Sequence, residues 1–119
     1  MEIAQTAHEV WQLVEASLTP IVGHRGVAAL YRRSVYLLRS DHPPLGVIDL
    51  DATSVDVLAE LQRASERQTA EVAMEMNAAM LETFRKLLAK LIGASLAERL
   101  LRPAFDHLAS SAAAERPST

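Results

Sequence analysis

"SVDVLAELQRASERQTAEVAMEMNAAMLETFRKLLAKLI", residues 54–92, contains neither glycine nor proline. Leu58, Leu61, Ser65, Thr69, Val72, Met76, Met80, Thr83, Leu87 and Leu91 recur every three or four positions along it, the repeat of one helix face. The spacing predicts a single long helix over about 54–92, with Thr53 and Asp56 as a capping pair at its start. Ser65 to Thr69 is the polar patch in that stripe, where two shorter helices would part. The second half carries another apolar line, Leu81, Phe84, Leu88 and Ile92, turned away from the first. A helix that is apolar on two sides is covered from two sides.

Length sharpens that expectation. Thirty-nine residues at 1.5 Å each make a rod of about 58 Å, against a diameter of roughly 35 Å for a compact chain of this size. The helix would overhang its own domain unless it breaks or a second copy covers it. The reading is therefore a homodimer that buries Met76, Met80, Leu81, Phe84, Leu87, Leu88, Leu91 and Ile92 between protomers.

The remaining elements follow outward from this rod. Ile3, Ala7, Val10, Val14 and Leu18 predict a helix over about 3–18, with Trp11 beside the stripe. "LTPIVGHRG" interrupts it with Pro20, Gly23 and Gly26, and a second helix covers about 25–40. "SDHPPLGVIDLDA" is a loop, because consecutive prolines do not continue a helix; "VIDL" within it could be extended. After Gly93 a last helix starts on Ser95 and Glu98, another capping pair, and passes Pro103 as a kink or restart. The fold class is all-α: a dimeric four-helix bundle in one domain, 1–112, with a disordered tail over 113–119.

Composition supports helices. Half of the 119 residues are apolar, yet there are only one Trp, two Phe and two Tyr; Ala and Leu, strong helix formers, supply the rest of the bulk. No cysteine is present, which removes disulfides, thiolate nucleophiles and cysteine metal sites. Glu2 and Glu9 replace the basic flank of a secretory signal, and no apolar run reaches the length of a membrane span. The expected location is the cytoplasm, with no membrane partner. A net charge of −3 carries no nucleic-acid footprint.

The distribution of charge says more. Residues 24–40 hold four arginines and no acid, residues 41–82 hold nine acids against Arg63 and Arg67, and residues 83–102 hold five bases against Glu98. On a helical wheel, Val27, Leu30, Tyr31, Ser34, Val35, Leu37 and Leu38 share one face. Arg25, Arg32 and Arg39 recur every seven residues opposite, with Tyr36 between and Arg33 alongside. That face is either a solvated surface, a complement to the acids Asp56, Glu60, Glu71, Glu75 and Glu82, or an anion site with Tyr36 for stacking.

No catalytic arrangement emerges. "GHRG" has the G-x-x-G form of the backbone clamp of KH domains, but that loop sits beside a sheet and no strands are predicted. His8-Glu9 lacks the basic residue and the proline that follow closely in the phosphoacceptor helix of sensor histidine kinases. The four histidines fall in four separate segments without H-E-x-x-H spacing. The reading is thus no metal, no cofactor and no enzyme. The expected function is a non-catalytic regulatory or protein-interaction module, a homodimer offering Arg25, Arg32, Arg33, Tyr36 and Arg39 to an acidic protein partner. A helical sensor that admits a small anionic or apolar molecule is the alternative.

Overall fold

The computed structural model describes residues 3–48 and 54–115. Among them are four α-helices and no strand, so the chain is all-α. They are α1 (Ile3–Leu38), α2 (Ser54–Glu66), α3 (Ala70–Ile92) and α4 (Ala94–Glu115), with a short 3-10 helix, Pro43–Val47, after α1.

Helix α1 is two rods. Gly23 has φ 77 and ψ 166 in its middle, a region open essentially to glycine alone. Along a straight helix Trp11 and Tyr31 would stand about 30 Å apart; instead their rings lie 5.3 Å apart, centre to centre. Gly23 therefore folds a first arm, residues 3–22, back against a second, residues 24–38. Gly26 lets the arms close, since a Cβ there would fall 2.9 Å from Val22 Cβ. The first arm passes through Pro20, which is exposed, so water can meet the carbonyl that a proline leaves unpaired.

Gly93 does the same between α3 and α4, with φ 93 and ψ 150. Its N–H donates to the Ala89 carbonyl (2.9 Å), and its own carbonyl accepts from the Ala97 N–H (3.0 Å). One residue thus ends one helix and begins the next. Helix α4 accordingly starts at Ala94, so the Ser95–Glu98 pair lies within the helix rather than capping it. Pro103 sits within α4 without ending it.

The predicted 54–92 helix is two helices. Asn77 Nδ2 donates to Ser65 Oγ at 2.9 Å, although twelve residues of continuous helix would separate them by about 18 Å. The break falls on the polar patch. Gln68 N–H closes a turn on the Ser65 carbonyl (3.1 Å), and Thr69 caps α3 by accepting from the Val72 N–H (3.2 Å). With no apolar side chain from Ser65 to Thr69, continuing the helix would bury nothing there.

The two glycine hairpins are repeats in burial. From residues 9–22 to residues 79–92, buried, half-buried and exposed positions recur in the same order. Trp11 matches Leu81, Val14 matches Phe84, and Leu18 matches Leu88, all buried. Trp11 touches Phe84 (5.5 Å between ring centres) and Asn77, so the matched stretches lie level with each other. Glu9 meets His107 (3.1 Å), and the buried residues of α4, Ala97, Leu101 and Ala104, all precede His107. The first arm therefore runs antiparallel to α4 and parallel to α3, which brings both glycine turns to one end of the bundle. Helix α2 packs on α1 and α3, and the 3-10 segment adds Leu45 and Ile48 to the same core.

Trp11, Tyr31 and Phe84 meet at the centre, all at or below 2 % exposure, with Tyr31 and Phe84 rings 5.2 Å apart. Edge-on and tilted aromatic contacts of this kind add about 0.5–1.5 kcal/mol each beyond area burial. Around this aromatic centre the polar atoms are matched, whereas Thr6 Oγ1 and His8 Nδ1 are buried without a hydrogen-bond partner. Tyr31 Oη donates to the Trp11 carbonyl (3.2 Å), Trp11 Nε1 donates to Asn77 Oδ1 (3.4 Å), and Ser65 Oγ donates to the Leu61 carbonyl (2.9 Å). Asn77 thereby ties α1, α2 and α3 together where α2 turns into α3.

This packing removes the argument for a second copy. Met76, Met80, Leu81, Phe84 and Leu88 are buried in the chain's own core, while Leu87 and Ile92 pack half-buried against it. Of the expected interface only Leu91 is exposed. Helix α3 is about 34 Å long, within principal extents of 42 × 31 × 21 Å and a radius of gyration of 13.7 Å. Folding the long rod at Thr69 lets α1 and α4 cover both apolar lines. Of the expected "VIDL" segment, Val47 ends the 3-10 helix and Ile48 is extended (φ -79, ψ 130) and buried. Asp49 and Leu50 lie outside the described residues, as do Thr53, the side chain of Asp56 and residues 116–119 of the expected tail, while residues 113–115 belong to α4.

Gly23→Ala and Gly93→Ala are each expected to lose about 1–3 kcal/mol in urea titration through backbone strain alone, because an added Cβ meets nothing within 4 Å at either site. Gly46→Ala, which meets open space without positive φ, serves as the control. Burial, with the Glu15 charge second, pushes the Tyr31 phenol far above its ordinary value of 10.0. The unfolded chain then releases this proton near pH 10 while the folded chain keeps it. Stability should therefore fall above pH ~10, by at most about 1.4 kcal/mol per pH unit from this group. Tyr31→Phe should flatten that loss in denaturant titrations from pH 9 to 11.

Candidate functional site

The second arm of α1 buries Val27, Leu30, Tyr31, Ser34 and Val35. Beside the Tyr31 phenol, its other buried hydroxyl, Ser34 Oγ, donates to the Leu30 carbonyl (2.8 Å). Five positions after Tyr31, at 100° per residue, the helix has turned to its opposite side, so Tyr36 is 47 % exposed. The two tyrosines thus have separate fates, one in the core and one on the surface. Leu37, predicted inside, is 42 % exposed beside Tyr36.

Arg33, Tyr36 and Arg39 form a unit on that outer side. The Arg39 guanidinium carbon lies 4.5 Å from the Tyr36 ring centre and that of Arg33 lies 5.5 Å from it. The two cations therefore stand no more than about 10 Å apart. Each contact of this kind contributes about 0.5–1 kcal/mol when exposed. Its main effect is to hold two long side chains beside one ring. Stacking occupies the flat face of a guanidinium and leaves its N–H edge for a carboxylate.

The other predicted members fall elsewhere. Arg32 is half-buried and has an interaction of its own. Arg25 is exposed at the start of the second arm, eleven residues and about 16 Å along the axis from Tyr36. The line drawn on the helical wheel is thus a clamp at one end of the arm and a separate arginine at the other.

The predicted acidic complement is engaged locally. Glu60 pairs with Arg63 (2.7 Å) and Glu82 with Arg85, each within its own helix. The hydrogen bond from Arg85 is the main influence holding the Glu82 carboxyl below its ordinary range. Glu71 and Glu75 are exposed on α3, and the side chain of Asp56 lies outside the described residues.

The histidines remain dispersed. His24 is exposed, while His8 and His42 are half-buried on separate segments. His107 meets Glu9, a partner ninety-eight positions away that no spacing rule could reveal. Among the described residues, no three histidine or carboxylate side chains converge as a metal site would require. The space between the hairpins, where a sensor would admit its ligand, is filled by Trp11, Tyr31 and Phe84 at the level of their contacts. No helix among the described residues is long and apolar enough to cross a membrane.

No protein family, curated protein or solved structure matches the chain. Because Arg33, Tyr36 and Arg39 are exposed on the outer side of the arm, replacing all three by Ala should change stability by less than about 0.5 kcal/mol per site in urea titration. A larger loss would show that the clamp supports the fold.

Proposed function

We propose that this chain is a non-catalytic regulatory interaction module of the cytoplasm, whose Arg33–Tyr36–Arg39 clamp docks an acidic segment of a protein partner. The observation that carries the reading is the exposed Tyr36 ring flanked by two guanidiniums at 4.5 and 5.5 Å. A spacing of up to about 10 Å suits carboxylates one helical turn apart, or on alternate residues of an extended chain. Arginine engages such carboxylates through two parallel N–H bonds, and the ring with Leu37 supplies an apolar floor. Interfaces take much of their affinity from such arginine and tyrosine anchors.

The surrounding charge assists the approach. Residues 24–40 carry four positive charges and no acid, which raises the encounter rate with an acidic partner and makes it salt-dependent. Homodimerisation forms no part of the proposal, since the side chains expected to mediate it fill the core.

The test is fluorescence anisotropy of a labelled decapeptide of glutamate and leucine, with acids spaced at three and four positions. Binding is expected to weaken at least about tenfold in Arg33→Glu/Arg39→Glu and to weaken as salt rises. Tyr36→Ala should weaken it less. Equal affinity of the wild type and the double charge reversal would overturn the reading.

A further inference from the structure

The glycine-turn end of the bundle is a surface of a different kind. Ile21 is 53 % exposed, Leu91 63 % and Leu96 36 %. Ile21 and Leu91 are equivalent positions of the two hairpins, each two residues before its glycine. Leu96 follows the Gly93 turn. Ile21, twelve residues after Glu9, is level with the position twelve before His107, Ser95, because the first arm and α4 run antiparallel from the Glu9–His107 contact. Three aliphatic side chains therefore project at one end.

Charge at this end is also one-sided. The stretches 16–28 and 86–100 hold Arg25, Lys86, Lys90 and Arg99, with Glu98 as their single acid. All four bases are exposed, as is His24. Glu98 stands close enough to Arg85 to act on its charge. The other exposed aliphatics differ in setting: Val72 and Met74 lie among Glu71 and Glu75, Leu108 follows Asp106 and His107 far along α4 from the Gly93 turn, and Leu37 belongs to the tyrosine clamp.

We propose that this end docks on an anionic lipid surface, with Ile21, Leu91 and Leu96 entering the acyl boundary while Arg25, Lys90 and Arg99 meet lipid phosphates. Aliphatic tips ringed by lysine and arginine match the chemistry of an anionic bilayer interface, and long basic side chains reach phosphates while their stems lie against hydrocarbon. A second copy of the same end is disfavoured, since it would set bases against bases. A partner helix needs a groove for its apolar face. Here the turns project: a Cβ at Gly23 or Gly93 meets nothing within 4 Å. Surface contact of this kind needs no spanning helix, so it departs from the expectation of no membrane partner without requiring a membrane span.

The test is co-sedimentation of the full chain with sucrose-loaded vesicles. One set is phosphatidylcholine alone, and the other is a three-to-one mixture with phosphatidylglycerol. The bound fraction is expected to be at least about fivefold higher on the anionic vesicles and to fall with salt. Ile21→Gln/Leu91→Gln and Lys90→Glu/Arg99→Glu should each lower it at least about fivefold with the circular dichroism unchanged. Arg33→Glu/Arg39→Glu should retain most of it, which separates this surface from the tyrosine clamp. Equal binding to both vesicle types, or wild-type binding by the Ile21→Gln/Leu91→Gln variant, would overturn the proposal. So would a wild type that ignores both vesicles and binds an acidic amphipathic helical peptide through these same residues, which would assign the end to a protein partner.

Discussion

Two single-residue reversals govern this molecule. At Gly23 and Gly93 the backbone takes a conformation that a Cβ would strain, and at each a helix ends and the next begins without an intervening loop. The reversals convert long apolar rods into hairpins whose inner faces meet. The meeting of Trp11, Tyr31 and Phe84 follows from them, because a straight α1 would hold Trp11 and Tyr31 far apart. Gly26 then sets how closely the arms approach.

The hairpins also explain how a chain with five aromatic residues in 119 holds one core. Three of the five converge at the centre, and Leu, Val and Met from four helices surround them. The polar atoms that come inside serve as registration. Asn77 accepts from Trp11 and donates to Ser65 and to the Ala73 carbonyl, so α2 cannot slide on α3 without stranding a hydrogen-bonding group. Along the outside, the same architecture separates two surfaces. The tyrosine clamp lies near the end of the second arm, and the aliphatic, basic end lies at the glycine turns.

Much of the fold was legible in the residues. Helical spacing of apolar side chains, the absence of cysteine and the scarcity of β-branched residues pointed to an all-α bundle. The inward face of the second arm was read correctly at Val27, Leu30, Tyr31, Ser34 and Val35, and wrongly at Leu37. The long 54–92 helix was not there, although its breaking point was marked by the polar run Ser65 to Thr69. Periodicity runs through a sharp bend without a phase change when both halves face the same core. Met76, Met80, Leu81, Phe84 and Leu88, expected at an interface, lie in the chain's own core for that reason: the stripes were real, and the chain itself covers them.

By itself the sequence determined helix content, which faces are apolar, and the gathering of arginines on the second arm of α1, since each depends on residue type at local spacing. Only the tertiary structure decided where the rods reverse, because glycine permits a positive φ and does not impose one. It alone paired Glu9 with His107 across ninety-eight positions, and brought Ile21 to the same end of the bundle as the Gly93 turn. It also half-buried Arg32 and left Arg33, Tyr36 and Arg39 on the outer side of the second arm. Those outcomes rest on contacts between distant segments, whose free energy belongs to the assembled core and to no local stretch.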